Sequence, residues 1–180
     1  SSTVATGANN LTLDAGTAGK VTIVGAVSGG GNMTVRDGAV QSYGALTVDA
    51  LSINDATTSV TLGGAVAAAT TIVINAQTGS ISQNGAITSA TNVDLDAGAT
   101  IDLSAAISGV SGTLAVDATG LTTVAAVADI SADGAVTFGA AKAGLLTTSA
   151  DIVTSDDNIT FTNAVTLGAN VEIDTTGGTE

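Results

Sequence analysis

A repeat of about 21 residues is the feature that most limits what this chain can fold into. Its clearest unit is apolar–x–apolar followed by Asp or Asn, and five of seven copies continue with alanine. The copies end at these residues: Asp14, Asp49, Asn75, Asp96, Asp117, Asp133 and Asp174. In the middle of the chain, Asn75, Asp96 and Asp117 follow one another at equal intervals of one repeat. A fixed period of this length is typical of a solenoid, in which each repeat packs against its neighbours.

A second motif has the same period. It is a tripeptide of a small residue, alanine, and Val or Ile. Its copies end at Val66, Ile87, Ile107 and Val127, with spacings of 21, 20 and 20. Two motifs that share one period predict about eight coils of roughly 20–21 residues. The register drifts between Met33 and Leu46 and over 140–158, where we expect bulges or loops.

Within each repeat the hydrophobic period is two, as in Val21-Thr22-Ile23 and Val165-Thr166-Leu167. Such strands are too short and too evenly spaced for hairpins, but each can pair with the equivalent strand of the next repeat. The sequence therefore predicts an all-β fold, a right-handed parallel β-helix (β-solenoid) that occupies residues 1–180 as a single domain. An antiparallel β-sandwich is the alternative, although its strands usually run longer and carry more aromatic residues.

The composition predicts a narrow core. The 180 residues include two Phe, one Tyr, one Met and no Trp or Pro, so small branched side chains must fill the interior. The absence of proline suits a backbone whose N–H groups are used in ladders. The residues predicted to point inward are Leu13, Ile23, Val48, Leu62, Ile74, Leu95, Leu103, Val116, Val136, Phe161, Leu167 and Ile173.

Charge and cysteine content exclude several classes of function. Sixteen acidic residues against three basic ones give a net charge of −13, which argues against nucleic acid and anionic membranes as partners. There is no cysteine for a disulfide framework and no run of 18 apolar residues that would insert into a membrane. The sequence starts at Ser1 with neither an initiator methionine nor a signal peptide. We therefore expect a processed chain, or a segment or subunit of a longer fibre.

Two segments, 92–103 and 112–120, resemble the shaft repeats of filamentous haemagglutinin-like bacterial adhesins. The resemblance is one of pattern and extends from about Leu11 to Asp174. It implies a β-helix shaft, secreted or tethered at the cell surface. No binding residue of that family can be transferred, because its receptor-binding modules are not visible in this sequence.

The Asp/Asn positions are expected to stack as a structural corner ladder of Asp14, Asp49, Asn75, Asp96, Asp117, Asp133 and Asp174. In the structural interpretation each side chain accepts a backbone N–H and closes a turn. The alternative is a calcium ladder at Asp96 and Asp117, since stacked carboxylates repel one another. Calcium prefers six to eight oxygens, whereas the ladder offers one carboxylate per coil, so we expect no bound metal or other cofactor.

Outward threonines are the other recurrent polar feature. The central threonines of eight apolar–Thr–apolar triads are expected to face solvent: Thr12, Thr22, Thr34, Thr47, Thr61, Thr137, Thr160 and Thr166. An ice-binding face is a remote alternative that would require one uninterrupted threonine sheet. Asn10, Asn32 and Asn158 begin Asn-x-Thr sequons, the acceptor pattern for N-glycosylation. Each sequon also matches the start of a strand, so the strand pattern alone explains it.

The expected function is structural. With no histidine, no cysteine and almost no basic residue, the chain is not expected to be an enzyme and no catalytic residue is assigned. We expect a rod or shaft of an extracellular bacterial fibre, whose partner is itself, either as a head-to-tail homopolymer or by covalent continuation of the same solenoid. Asn170–Asp174 matches Asn10–Asp14 position by position, which predicts that one copy continues the next. The alternative is an adhesin whose solenoid side surface or loops bind a host, surface or glycan ligand, for which Tyr43 and the irregular stretch 140–158 are the candidates.

Overall fold

A computed structural model describes residues 3–177 and shows a parallel β-solenoid without helices in that range. Twenty-five short strands form three parallel sheets, A, B and C, and the chain visits the sheets in that order in each coil. The first coil contains β1, β2 and β3, the eighth contains β22, β23 and β24, and β25 adds a ninth strand to sheet A. The predicted fold class and coil number are therefore confirmed.

Sheet A consists of β1 (Val4–Gly7), β4 (Val27–Gly29), β7 (Leu46–Val48), β10 (Val66–Ala68), β13 (Ile87–Ser89), β16 (Ile107–Val110), β19 (Ile130–Ala132), β22 (Ile152–Thr154) and β25 (Ile173–Asp174). Sheet B consists of β2 (Leu11–Leu13), β5 (Met33–Val35), β8 (Leu51–Ile53), β11 (Thr71–Ala76), β14 (Asn92–Ala97), β17 (Leu114–Ala118), β20 (Val136–Phe138) and β23 (Ile159–Phe161). Sheet C consists of β3 (Lys20–Ile23), β6 (Gly38–Tyr43), β9 (Ala56–Leu62), β12 (Ser80–Gln83), β15 (Ile101–Leu103), β18 (Thr122–Val124), β21 (Leu146–Thr148) and β24 (Val165–Leu167).

The coil length follows the predicted period in the centre and departs from it elsewhere. Ile72 pairs with Val93 and Val93 with Leu114, one full sequence repeat later each time. Met33 pairs with Leu51 across a shorter coil, where the sequence register drifts. The small–Ala–Val/Ile motif fails at its fourth copy, because Ile107 pairs with Ile130 and Val127 lies in a turn with 73% of its surface exposed.

The core is a continuous apolar column inside the three sheets. Seven of the residues predicted to point inward are buried: Val48, Leu62, Ile74, Leu95, Leu103, Val116 and Val136. Leu13, Ile23 and Phe161 are partly buried against this core. Leu167 and Ile173 take inward positions, in register with buried Thr148 and Ile152, but the prediction that they belong to the core is wrong, because they are 58% and 45% exposed. These two residues lie in the last described strands of their sheets, and no further described strand covers them.

Two glycines show why the turns need this residue. A Cβ on Gly85 would collide with the carbonyl of Gly64, one coil earlier, so glycine allows the coils to approach at this corner. Gly109 has a φ of 67°, in the left-handed region, where the register of β16 and β19 shifts between Ile107 and Val110. Both positions keep the coils stacked while the chain turns a corner.

The two ends of the solenoid do not correspond as the sequence predicted. Leu11–Leu13 forms β2 in sheet B, whereas Ile173–Asp174 forms β25 in sheet A. The match between 10–14 and 170–174 is therefore wrong as a statement about register. The same short motif occurs at the ends of strands in two different sheets, and its amino-acid sequence does not show to which sheet a copy belongs.

Candidate functional site

The centre of the predicted corner ladder lies in sheet B. Asn75 pairs with Asp96 and Asp96 with Asp117, on the outward positions of β11, β14 and β17. Asp14 follows Leu13 of β2 and occupies the same column in the first coil, because Leu13, Val35, Ile53 and Ile74 are in register. The structure thus places four of the seven predicted positions in one column.

The other three predicted ladder residues belong to sheet A, so a single ladder of seven residues is wrong. Asp49 directly follows β7, Asp133 directly follows β19 and Asp174 ends β25. Strands of both sheets finish with an apolar–x–apolar triad because both must bury two alternate side chains before a corner. The motif therefore marks a corner, and the count of residues between copies decides which one.

Several of these carboxylates close turns by hydrogen bonding. The N–H of Gly16 donates to Asp14 Oδ1 at 2.9 Å, and the N–H and Oγ1 of Thr176 both donate to Asp174 Oδ1 at 2.7 Å. An aspartate that accepts a hydrogen bond two residues on stabilises an Asx turn. The geometry at these two corners is that of the structural interpretation.

The Asp96 and Asp117 corner is covered by a segment that the sequence analysis identified only as irregular. Residues 139–145, here called the strap, connect β20 to β21. The ammonium of Lys142 forms an ion pair with Asp96 Oδ1, and their side chains are 23% and 33% exposed. The N–H of Ala141 donates to Asp117 Oδ1 at 2.9 Å, and the N–H of Gly144 donates to the Ala118 carbonyl at 3.0 Å. The strap is thereby fixed to the two preceding coils.

The following coil holds the strap from its other side. Asn163 Nδ2 donates to the carbonyls of Lys142 and Gly139 at 2.7 and 3.3 Å, and Thr162 Oγ1 donates to the carbonyl of Phe138, directly before the strap, at 2.9 Å. Beneath these contacts the rings of Phe138 and Phe161 stack with centroids 5.6 Å apart. The strap therefore connects coils five, six, seven and eight.

The carboxylates at this corner influence one another. Burial raises the pKa of the Asp94 carboxyl above its ordinary value, and the negative charges of Asp96 and Asp117 raise it further. Lys142 supplies the positive charge that offsets this repulsion at Asp96. Within residues 3–177, no three His, Cys, Asp or Glu side chains are grouped so that they could hold a metal ion. Asp96 and Asp117, the pair named for calcium, each direct Oδ1 at a donor of the strap.

Tyr43 was a candidate for an exposed aromatic binding patch, and the structure does not support that interpretation. The ring is 2% exposed and lies in the core. Its hydroxyl donates to Gln41 Oε1 at 2.7 Å, and Gln41 itself is fully buried. Both side chains point inward from β6, so the polar pair is an internal feature of sheet C.

The outward threonines are distributed over all three sheets. Their side chains are exposed or half-buried, as predicted, and they alternate with inward residues. Sheet C is the exception to this scattering, because its register aligns threonines with serines that the sequence analysis did not single out. The aligned side chains, here called the hydroxyl row, are Thr22, Ser42, Thr61, Ser82, Asp102, Thr123, Thr147 and Thr166.

Sequence reasoning missed the hydroxyl row because five of its eight triads are not apolar–Thr–apolar, including Ile101-Asp102-Leu103. Gln41-Ser42-Tyr43 and Ile81-Ser82-Gln83 bury a glutamine, and Thr122-Thr123-Val124 and Leu146-Thr147-Thr148 bury a threonine. A pattern that accepted Ser or Asp at the centre and Gln or Thr at the buried positions would have found the triads, but their alignment follows only from the register of sheet C.

No described helix, within residues 3–177, is long and apolar enough to cross a membrane. Comparison of the chain with protein-family models, with curated proteins and with solved structures finds no match.

Proposed function

We propose that this chain is a structural rod, a segment or subunit of the shaft of an extracellular bacterial fibre. One observation supports the proposal most directly: three parallel ladders run along one axis and leave open strand edges at both ends of the described coils. Strand spacing of about 4.8 Å makes the nine strands of sheet A about 38 Å long. The extracellular and bacterial assignment rests on the resemblance of 92–103 and 112–120 to adhesin shaft repeats.

The exposed core at each end favours axial continuation. At the first coil, Leu11, Leu13, Val21 and Ile23 line an open cavity of about 400 Å³. At the other end Leu167 and Ile173 are largely exposed. One more coil at either end would bury this apolar surface and pair the open edge, and it can come from the continuing chain or from a second copy.

The unequal strand number restricts how two copies join. Sheet A has nine strands and sheets B and C have eight. If β1 of a second copy paired with β25, β2 would meet β23 at a distance of two strand spacings. Head-to-tail assembly therefore pairs the copies through sheet A and leaves a gap of one strand in sheets B and C, whereas a continuing chain also fills that gap.

The proposal gives the chain no catalytic role. It also requires no metal or cofactor. The adhesin alternative no longer has Tyr43 as a surface feature, since that residue is buried. The ice-binding alternative is not favoured, because serine and Asp102 interrupt threonine in the hydroxyl row. Antibody labelling of intact cells tests the proposed extracellular localisation.

The rod is tested by electron microscopy and analytical ultracentrifugation of the purified chain across a concentration series. We expect elongated particles that lengthen along their axis at high concentration. Ala5→Pro should shorten the particles. The N–H of Val4 donates to the Ala26 carbonyl, so the N–H of the next residue, Ala5, faces the open edge, and proline would remove this donor. Ala5→Val retains the N–H and is the matched control. A compact particle would contradict the rod, and an elongated monomer would favour covalent continuation over self-assembly.

A further inference from the structure

The hydroxyl row forms a regular polar face along the whole solenoid. Its eight side chains come from successive strands of sheet C, one from each coil. Seven are Thr or Ser, and the eighth is Asp102. With strands about 4.8 Å apart, the row extends for about 34 Å parallel to the axis.

The row is not used to hold the fold together. Among residues 3–177, none of its eight side chains makes a hydrogen bond with another group of the chain, in contrast to hydroxyls at corners. Thr70 and Thr78, for example, donate to carbonyls of the preceding coil, at 3.0 and 2.9 Å. The hydroxyls of the row keep both donor and acceptor capacity for an external partner.

The other two outer faces lack such a row. In sheet B the aligned column is interrupted at Val73 and Ala115, whose side chains cannot form hydrogen bonds. In sheet A they include Ala67, and bulges interrupt the register at β10 and β16. A continuous hydrogen-bonding surface along the axis is therefore specific to sheet C.

We propose that the hydroxyl row binds an uncharged linear polysaccharide that lies along the rod axis. The inference goes beyond the structural role, because it uses a side face and not the ends. Repeating hydroxyls of such a polymer can donate to and accept from Thr and Ser at intervals along the row. Asp102 accepts only, so its carboxylate takes two sugar hydroxyls in charge-assisted hydrogen bonds.

Charge and area select this partner over others. The net charge of −13 and the position of Asp102 within the row disfavour an anionic polymer. A second copy docked face to face is disfavoured by area, since a strip about 34 Å by 10 Å covers about 340 Å². A stable interface between proteins buries about 800 Å² on each side. A narrow polymer matches a strip of this width.

The test is a depletion assay of the purified chain on microcrystalline cellulose, chitin and dextran, with alginate as the anionic polymer. The key variant is Thr61→Val/Thr123→Val/Thr147→Val, which removes three hydroxyls and keeps side-chain shape. The matched control is Thr34→Val/Thr137→Val/Thr160→Val, which makes the same change on the outer face of sheet B. Circular dichroism and thermal melting verify that both variants fold.

The expected result is retention of the unmodified chain on at least one uncharged polysaccharide, with binding at least about tenfold weaker in the sheet C variant. The sheet B variant should bind as the unmodified chain does. Equal loss in both variants, binding to alginate alone, or no binding to any of the three uncharged polymers would overturn the proposal. Ice-growth inhibition that is lost only in the sheet C variant would assign the row to ice and overturn it as well. None of these outcomes changes the axial growth that tests the rod, so the two proposals fail independently.

Discussion

The central coils and the last coil use the same strand pattern and reach different degrees of burial. Leu95 of β14 is fully buried, whereas Leu167 of β24, also an inward position of a short strand, is 58% exposed. The difference comes from the neighbours along the axis, since β14 lies between two strands and β24 pairs with one. In this fold the adjacent coils determine whether a side chain is buried, and its own strand determines only whether the side chain points inward or outward.

The largest expected effect comes from placing a charge at these two positions. Leu95→Asp should lower the free energy of unfolding by several kcal/mol, about 4 or more, because it buries an unpaired carboxylate. Leu167→Asp should cost less than about 1 kcal/mol, because the carboxylate remains in water. Urea unfolding followed by circular dichroism measures both. Equal costs would mean that position along the axis does not determine burial.

Removal of one buried hydroxyl should have the next largest effect. Tyr43→Phe deletes the donor to Gln41 Oε1 and leaves a buried acceptor without it, which should cost about 1–3 kcal/mol. Thr166→Val removes a hydroxyl from the exposed last coil and should be nearly neutral. The same unfolding assay compares them, and a neutral Tyr43→Phe would indicate that water or another donor reaches Gln41.

Tyr43 also predicts a dependence on alkaline pH. Burial raises the pKa of its phenol well above the ordinary value. The folded state therefore keeps the phenol proton at pH values where the unfolded state loses it, and stability falls as the pH rises above about 10. Tyr43→Phe should reduce this fall. Parallel melting curves of the two proteins between pH 8 and 11 provide the comparison.

The strap should contribute a smaller amount. Lys142→Met removes the ion pair with Asp96 and should lower the free energy of unfolding by about 1 kcal/mol, since both side chains are partly solvated. Lys20→Met, which removes an exposed ammonium from the first coil, is the control. A double-mutant cycle with Asp96→Asn isolates the pair. A coupling energy near zero would show that the backbone contacts of the strap suffice.

Replacement of Asp94 should be slightly stabilising. Its raised pKa means that ionisation is less favourable in the folded state, so Asp94→Asn should raise the melting temperature at pH 7. The gain is present above the folded pKa and disappears as the pH falls below about 3.9, where the carboxyl is protonated in both states. A gain that persisted at pH 3 would contradict this explanation.

Metal removal should have the smallest effect. Because Asp96 and Asp117 are engaged by the strap, EDTA or added calcium should move the melting temperature by no more than about 1 °C. Differential scanning calorimetry of the unmodified chain and of Lys142→Met makes the comparison. A large loss of stability with EDTA would make calcium structural.

The fold could be predicted from the sequence because the period and the alternation of apolar residues report directly on coil length and strand direction. The assignment of motifs to sheets could not be predicted. Asp49 and Asp96 follow the same local pattern, yet they lie at corners of different sheets. The cause is that coil length varies between neighbours, so spacing fixes the sheet only where the period is constant, as between Asn75 and Asp117.

The candidate surfaces were less accessible to sequence reasoning. The hydroxyl row depends on which strands are neighbours, and Ser42 or Thr147 acquires its meaning only from the register of sheet C. The strap was visible only as an interruption of the repeat. Its contact between Lys142 and Asp96 joins residues two coils apart, a separation that no local pattern reveals.

The direction of the hydrogen bonds between coils has a mechanical consequence. They run along the axis, from each strand to the equivalent strand of the next coil. A force that pulls the two ends of the rod apart acts on these bonds at one seam at a time, so an end coil peels away while the rest stays folded. Each released coil of about 21 residues adds roughly 70 Å of extended chain. The solenoid should therefore lengthen in regular steps under tension, and each step should dissipate mechanical energy.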